Sequence, residues 1–507
     1  MDTTLVDALR ETLRRETGEP VALVETHISW VLLTATLACK LKKPVRLPFL
    51  DFGSVEARKH FCEEELRLNR RFAPSLYIDV APVCGTRTSP RIGGDGTPID
   101  HVVRMRRFPE SSLLRNLLPT REFRPEWLDD FAERLAGLHE AAPRMAGVSE
   151  FGSPELITRA ATDILDALQA QGEDPRLVAL RAWIGEQTQA LRMAWIVRQQ
   201  SGAVRECHGD LHMANVVLVD GALTPFDCIE FDPALRSIDV MNDIAFLTMD
   251  LTAHGRPDLA YRFLDAWLQH SGDYQGLQVL RFYEVYRALV RAMACGLLPQ
   301  GADRGVRPDY LACAAQLAAR PPGDARLLIT HGFSGSGKSS VALQLLCAAG
   351  AVRVRSDVER KRLHGLAPLA RSADLGLDIY GEQATRLTFD RLRACARGAL
   401  LAGYPVIVDA AFLRRAERRS FETLAAELHV PFAILDCRAA HATLRRRVAE
   451  RDAARLDASE AGLPVLERQL ENHEPLEPGE QALTIEVSTE GTVDVAQVEA
   501  RWRATAR

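Results

Sequence analysis

The sequence predicts two successive domains of different class: an α+β domain in two lobes, then an α/β domain built on a doubly wound parallel sheet. Three observations carry that expectation. Near the N-terminus, short apolar runs alternate with turns, and long stretches of helical periodicity follow. From residue 327 onward, short β-branched runs alternate with helices instead, the pattern of parallel strands joined by crossovers. Between the two regions, Arg320-Pro321-Pro322-Gly323-Asp324 has the composition of a linker. The domains are therefore expected at 1–320, with a first lobe to about 107 and a helical lobe from about 108, and at 324–507. A chain of 507 residues is too long for a single core in any case.

Composition narrows the function classes. A net charge of −5 argues against a protein that binds nucleic acid by bulk charge, leaving only a local basic patch for that purpose. The 10 cysteines are scattered singly, with no CxxC pair and no metal-ligand spacing, which is the usage of reduced thiols in the cytosol. The opening MDTTLVDALRETLRRETGEP reads as an amphipathic helix ending near Gly18-Glu19-Pro20, not as a signal peptide. No apolar run approaches the roughly 20 residues a membrane span requires. The expected compartment is the cytoplasm, with no membrane partner.

In chain order, Val21–Leu33 and Leu37–Lys42 read as paired strands meeting at Thr34-Ala35-Thr36. Strand periodicity puts Lys40 and Lys42 on one face. A helix over Val55–Phe72 follows, with Ser54 placed to cap it. Phe61, Glu65, Leu68 and Phe72 share its apolar stripe, and a carboxylate on such a stripe calls for a partner. Strands are expected at Ile78–Val83 and Ile99–Met105 around the turn Gly93-Gly94-Asp95-Gly96, then helices at Trp127–Glu140, Leu156–Gln171 and Leu177–Gln200.

The stretch from His208 to Asp232 is the most informative. In it, HGDLHMAN precedes two apolar runs, Val216–Val219 and Ala222–Phe226, joined by Asp220-Gly221. Asp-Gly between such runs signals a two-residue hairpin with a type I′ turn. Val219 then faces Ala222 and Val217 faces Thr224, so Asn215 falls opposite Phe226, one step from Asp227. Pairing arithmetic alone brings together the carboxylate of Asp210, the amide of Asn215 and the carboxylate of Asp227. Phosphoryl transfer to a hydroxyl needs such a set: one proton acceptor and two oxygen ligands for magnesium.

These residues resemble the catalytic loop and metal-binding strand of the aminoglycoside phosphotransferase and choline kinase-like family, relatives of the protein kinases with a bilobal fold. The resemblance implies that Asp210 is the base, Asn215 and Asp227 the magnesium ligands, and His208 a support for the loop. Cys228 departs from the family, which usually has an aromatic residue after the metal aspartate. The resemblance also implies a strand lysine on the α- and β-phosphates, Lys40 with Lys42 as the alternative, paired with Glu65 or else Glu64. Met105–Phe108 falls at the hinge, and Asp243, rather than Asp239, matches the acid that steadies the catalytic loop. His139 is expected to be structural. A pocket for a polycationic aminoglycoside should be strongly acidic. Here Asp250, Asp258, Asp265, Asp273 and Glu284 are balanced by Arg256, Arg262, Arg281, Arg287 and Arg291. An uncharged or anionic hydroxyl compound is therefore the expected acceptor.

In the last third, the strand Leu327–Thr330 leads into GFSGSGKSS, a complete GxxxxGKS loop from Gly332 to Ser340 that opens the helix Ser339–Ala348. Gly332, Gly335 and Gly337, with Ser334, Ser336 and Ser340 between and after them, let backbone N–H groups turn onto phosphate oxygens. Lys338 is placed for the β- and γ-phosphates of ATP, and Ser339 for magnesium. Strands at Val352–Arg355, Val406–Asp409, Phe432–Asp436 and Leu483–Val487 complete the sheet. Asp357 and Asp409 then fall at carboxyl ends of strands, where such sheets bind ligands. RSDVERKRL resembles small P-loop kinases of the polynucleotide kinase, gluconate kinase and zeta-toxin type. That likeness implies that Asp357 is the acceptor's base, Arg360 orients the acceptor and Asp409 is the Walker B acid. It also implies an arginine-bearing lid in LRRRVAERDAARLDASEA, with Arg447 and Arg451 neutralising charge.

The whole layout resembles bacterial fusions of these two kinase types. The expectation is a bifunctional ATP- and Mg²⁺-dependent phosphotransferase acting on small hydroxyl compounds. A nucleotide-gated regulatory ATPase acting on a protein partner and a polynucleotide 5′-kinase are the alternatives.

Overall fold

The computed structural model describes residues 3–47, 50–145, 150–296, 307–319, 324–372, 379–454 and 457–505. The chain divides into two compact units. One contains Met1–Phe131, Leu138–Leu156 and Arg198–Leu247; the other contains Ala132–Gly137, Ile157–Val197 and Thr248–Arg507. Helices on either side of the hairpin stretch thus fall in the same unit as the GxxxxGKS loop. Residues 320–323 of the expected linker lie outside the described residues.

The first unit is built on a six-stranded antiparallel sheet, ordered Ala22–Glu25, Ser29–Leu33, Leu37–Lys42, Asp100–Arg106, Tyr77–Thr86, Ser89–Ile92. The run Val21–Leu33 is two strands, not one. Thr26 breaks it by bonding Ser29 through both backbone and hydroxyl, a local turn that apolar content does not reveal. The helix Thr4–Thr17 buries Leu5, Val6, Leu9 and Leu13 against this sheet, in a core with Trp30, Leu32 and Leu41. The helix Val55–Phe72 begins where Ser54 accepts the Ala57 N–H at 3.0 Å, and it buries Glu65, Leu68 and Phe72. The hairpin pairs in the expected register: Val219 with Ala222, Val217 with Thr224, and Phe226 N–H onto Asn215 O. Asp220 (φ 50°) and Gly221 (φ 81°) form its turn, and both need the left-handed region.

The second unit holds a five-stranded, all-parallel sheet ordered Val352–Arg355, Val406–Asp409, Leu327–His331, Phe432–Arg438, Thr484–Ser488. Helices Lys338–Ala349, Glu382–Leu401, Arg415–Glu427 and Val495–Ala504 alternate with these strands. The expected helix Leu177–Gln200 is two helices, Pro175–Ala190 and Arg192–Gln200, parted at Leu191. No helix among the described residues is long and apolar enough to cross a membrane, and none of the ten cysteines is in a disulfide.

Candidate functional site

In the first unit, the segment before the hairpin is held from below. Asp243, fully buried, accepts the N–H of His208 at 3.0 Å and of Gly209 at 2.9 Å, and its Oδ2 also meets His139 Nε2 at 3.1 Å. Asp239 pairs instead with Arg198. Cys207 Sγ lies within 4.8 Å of the Asp243 carboxylate and of a His139 ring nitrogen, but both Asp243 oxygens are already taken, so the cluster braces the loop. His208 Nε2 bonds Phe226 O at 2.9 Å, tying the loop to the second hairpin strand, and burial lowers its pKa. On this base Asn215 Nδ2 donates to Asp210 Oδ2 at 2.8 Å, which leaves a third of the Asp210 side chain open to solvent.

Asp227 is one of four non-glycine residues with positive φ among the described residues, at 63°. That conformation is uncommon outside glycine and is found at sites where structure enforces it. Here Tyr77 Oη accepts the Asp227 N–H at 3.1 Å, and Asn69 Oδ1 accepts the next N–H, that of Cys228, at 2.9 Å. Cys228 itself is fully buried, with its thiol toward Cys207 O. The Asp227 side chain meets Lys40 Nζ at 2.5 Å.

Lys40 and Lys42 both reach Glu65, one on each oxygen, at 2.9 and 2.7 Å. Glu65 is fully buried, whereas Glu64 pairs with Arg67 and Arg236. Lys42 also bonds Glu230, a buried acid that sequence reasoning missed. Only Lys40 extends to Asp227. Burial opposes every charge in this cluster, so the partners decide the outcome. Against it, Asp227 and Glu65 hold Lys40 well above the ordinary lysine value, and Lys40 and Lys42 pull Glu65 down to about 2. For Glu230 burial prevails and the pKa rises.

In the second unit, the loop Gly332–Ser340 leads from the strand Leu327–His331 into the helix Lys338–Ala349. Gly335 (φ 82°) must be glycine, because a Cβ there would lie 2.7 Å from Leu444 O. Lys338 Nζ folds back onto Phe333 O at 2.7 Å, and burial lowers its pKa. A cavity of about 260 Å³ brings together Lys338, Ser339, Asp357, Arg360, Asp409 and Arg451, along with Ser334 of the loop. Asp357 and Arg360 lie one turn apart on the helix Ser356–Leu363. Arg360 Nη1 is bound by Ile379 O and Thr385 Oγ1, its guanidinium lies over Tyr380, and its Nε is buried without a hydrogen bond.

Gly337, Ser340 and Arg447 line a different cavity, of about 500 Å³, together with Gln344 and Thr489. Arg447 is drawn there by Thr489, bonding its hydroxyl at 3.0 Å and its carbonyl at 2.6 Å. Arg447 and Arg451 therefore line different cavities, and the expected pair is divided between them. Sequence reasoning also missed Arg353, which lies 3.8 Å from Asp409, and Arg355, Arg414, Glu417 and Asp457, which line the first of these cavities. The alternating VRVR of the Val352–Arg355 strand was the available signal for the first two, since paired arginines on one strand face need acceptors.

The donor groups fit a magnesium ion in either unit. Asp409 Oδ2 is buried and accepts no hydrogen bond, and beside it Ser339 offers a hydroxyl in the same cavity. Asn215 and Asp227 likewise present the hard oxygen donors that magnesium prefers.

The chain matches the model described as the phosphotransferase enzyme family over residues 54–283, and the model described as an AAA domain over residues 327–476. It is 30% identical over 454 residues, 87% of its length, to uncharacterized proteins of Mycobacterium tuberculosis and Mycobacterium bovis, and spans 89% of each. Among solved structures, choline kinase from Cryptosporidium parvum aligns over 60% of this chain and 88% of its own, at 11% identity and a TM-score of 0.38. A gluconokinase from Sinorhizobium meliloti aligns over 35% and 90%, at 20% identity and a TM-score of 0.27. The chain belongs to the family of those mycobacterial proteins, and in it a domain of the phosphotransferase enzyme family, similar to aminoglycoside phosphotransferases, is followed by a P-loop domain of the AAA type.

Proposed function

We propose that the protein is a bifunctional phosphotransferase that moves the γ-phosphoryl group of ATP onto hydroxyl groups of small molecules at two separate sites. The observation that supports this is the completeness of each set within its own unit. In one, Asp210 is bonded to Asn215 and Asp227 to the Lys40–Glu65 pair. In the other, Lys338, Ser339, Asp357 and Asp409 line one cavity.

In the first site Asp210 accepts the proton of the attacking hydroxyl, and Asn215 keeps its carboxylate turned to the acceptor. Lys40, steadied by Glu65, neutralises phosphate charge. In the second site Asp357 accepts the proton while Arg360, one turn on, orients the acceptor. Lys338 leaves Phe333 O for the β- and γ-phosphates, and Arg451 balances charge from across the cavity. Bound magnesium would spread the charge of the transferring group, with Asn215 and Asp227 in one site and Ser339 and Asp409 in the other as its protein ligands.

A polycationic acceptor is disfavoured, because the acidic residues of the 250–284 region are used internally. Asp258 pairs with Arg256, Asp265 with Arg353, and Asp250 accepts Tyr310 Oη. Asp273 caps the turn at Gly276, and Glu284 accepts the Thr248 hydroxyl. Binding of a kanamycin-like drug at micromolar concentration would overturn that assignment.

The test is ATP consumption by Asp210→Asn and by Lys338→Ala, with a library of hydroxyl metabolites. Each variant should retain one class of acceptor and lose the other. Loss of all turnover in either variant alone rules out two independent sites.

A further inference from the structure

The strand Val352–Arg355 carries Arg353 and Arg355 on one face, as a period of two requires. Both guanidinium groups meet acceptors four residues apart on the helix Pro257–Ser271. Arg353 forks onto Asp265, with Nη2 to Oδ2 at 2.7 Å and Nε to Oδ1 at 3.3 Å; Arg355 Nη1 reaches Gln269 Oε1 at 3.2 Å. Gln269 in turn donates to Asp265 Oδ2 at 2.5 Å. The opposite side of both arginines faces Asp409. Arg353 Nη1 lies 3.8 Å and Arg355 Nε 3.6 Å from Asp409 Oδ2, the oxygen that accepts no hydrogen bond. Arg353 Nη1 is meanwhile bonded to the carbonyl of Ser339 at 3.0 Å. Asp265 and Arg353 are both buried.

Asp409 thus stands between two uses, as a counter-ion for buried arginines and as an oxygen donor to a divalent cation. An arginine held bidentately by another carboxylate has its charge largely neutralised and its direction fixed. A buried guanidinium without that partner would turn to the nearest anionic oxygen, and here that is Asp409 Oδ2. We infer that Asp265 is a positioning residue of the P-loop site: it holds Arg353 back from Asp409 and so keeps that carboxylate available to magnesium. Asp265 lies within the segment matched by the phosphotransferase family model and outside the 327–476 segment matched by the AAA domain model. One site is therefore completed by a helix that belongs, by sequence, to the other domain. The inference rests on the reading of this cavity as a site for Mg-nucleotide.

Calorimetric titration of the full chain with ADP, at a series of Mg²⁺ concentrations, tests it. The signal of the P-loop site is the part that Lys338→Ala removes. Asp265→Asn should raise the Mg²⁺ concentration for half-maximal binding about tenfold, while ADP affinity without Mg²⁺ stays within about twofold of wild type. The double variant Asp265→Asn/Arg353→Gln, which removes the competing cation as well, should restore the wild-type Mg²⁺ dependence. Arg353→Gln alone should leave it unchanged or lower. A wild-type Mg²⁺ dependence in Asp265→Asn, an equal defect in the double variant, or a raised requirement in Arg353→Gln would each overturn the inference. If the wild type shows no Lys338-dependent ADP binding, the reading of the cavity fails instead.

Discussion

The two candidate sites solve the same electrostatic problem in opposite ways. In the first unit Lys40 already has anionic partners, Glu65 and Asp227, and a second lysine shares the same glutamate. In the second unit Lys338 bonds neutral oxygens, Phe333 O and Ser336 Oγ, and Oδ2 of Asp409 accepts no hydrogen bond among the described residues. One site is internally neutralised and doubles as part of a fold's core. The other is a charged cavity in which Lys338 is held by neutral oxygens while Asp409 faces two arginines. The difference teaches that a functional lysine and a structural one are not separate categories. Which role dominates depends on whether the counter-charge comes from the chain or from the substrate.

The sharpest way to break that comparison is Glu65→Gln. It leaves Lys40 and Lys42 short of a buried counter-charge, at a cost of about 3–5 kcal/mol of stability, read as a lower urea midpoint with unchanged m. The same variant should change the acid limb. Glu65 titrates near 2 in the folded chain against an ordinary 4.5, so the unfolded state binds the proton first as pH falls. Its stabilisation is complete above pH 4.5 and is lost as pH drops toward 2. Unfolding of the wild type should steepen over that interval, and Glu65→Gln should lose that contribution.

Lys338→Ala should do the reverse. Its turnover at the P-loop site should drop by about 10²–10³, in line with the removal of one preorganised electrostatic contact, while the melting temperature in the absence of nucleotide barely moves. A large fall in melting temperature would contradict the view that this lysine has no structural task. Mg-ADP at about 100 times its Kd should stabilise the wild type by about 2.7 kcal/mol, and Lys338→Ala should lose the share contributed by the P-loop site. The smallest effect is expected from Ser54→Ala, about 1 kcal/mol from loss of the cap on the helix that carries Glu65. Thermal melts should show it without any change in ATP turnover by the P-loop site.

How much of this was legible beforehand varies by residue. The hairpin register was, because Asp220-Gly221 admits one tight turn and the rest is counting. Glu65 was legible as a carboxylate on an apolar stripe, and Asp243 as the acid ahead of an apolar helix. Lys40 and Lys42 could not be separated, since a period of two gives them one face and both in fact reach Glu65. Arg447 and Arg451 are expected as a pair from the resemblance alone, and Thr489 holds Arg447 in a different cavity. The contact of Asp265 with Arg353 had no local signature: an acid in an amphipathic helix looks like surface charge until a buried strand is packed against it.

The sequence by itself determined the local geometry of both sites. Turns, caps and glycine-rich loops are set by interactions among neighbouring residues, and these bring Asn215 opposite Phe226 and Lys338 beside Ser339, although Asp243, Tyr77 and Asn69 then brace the strand ends from afar. Only the tertiary structure decided the counter-ions: Glu230 for Lys42, Asp227 for Lys40, and Asp265 for Arg353. Charge pairing in a buried setting depends on distance through space and on the exclusion of water, and neither is encoded in the spacing of residues along the chain.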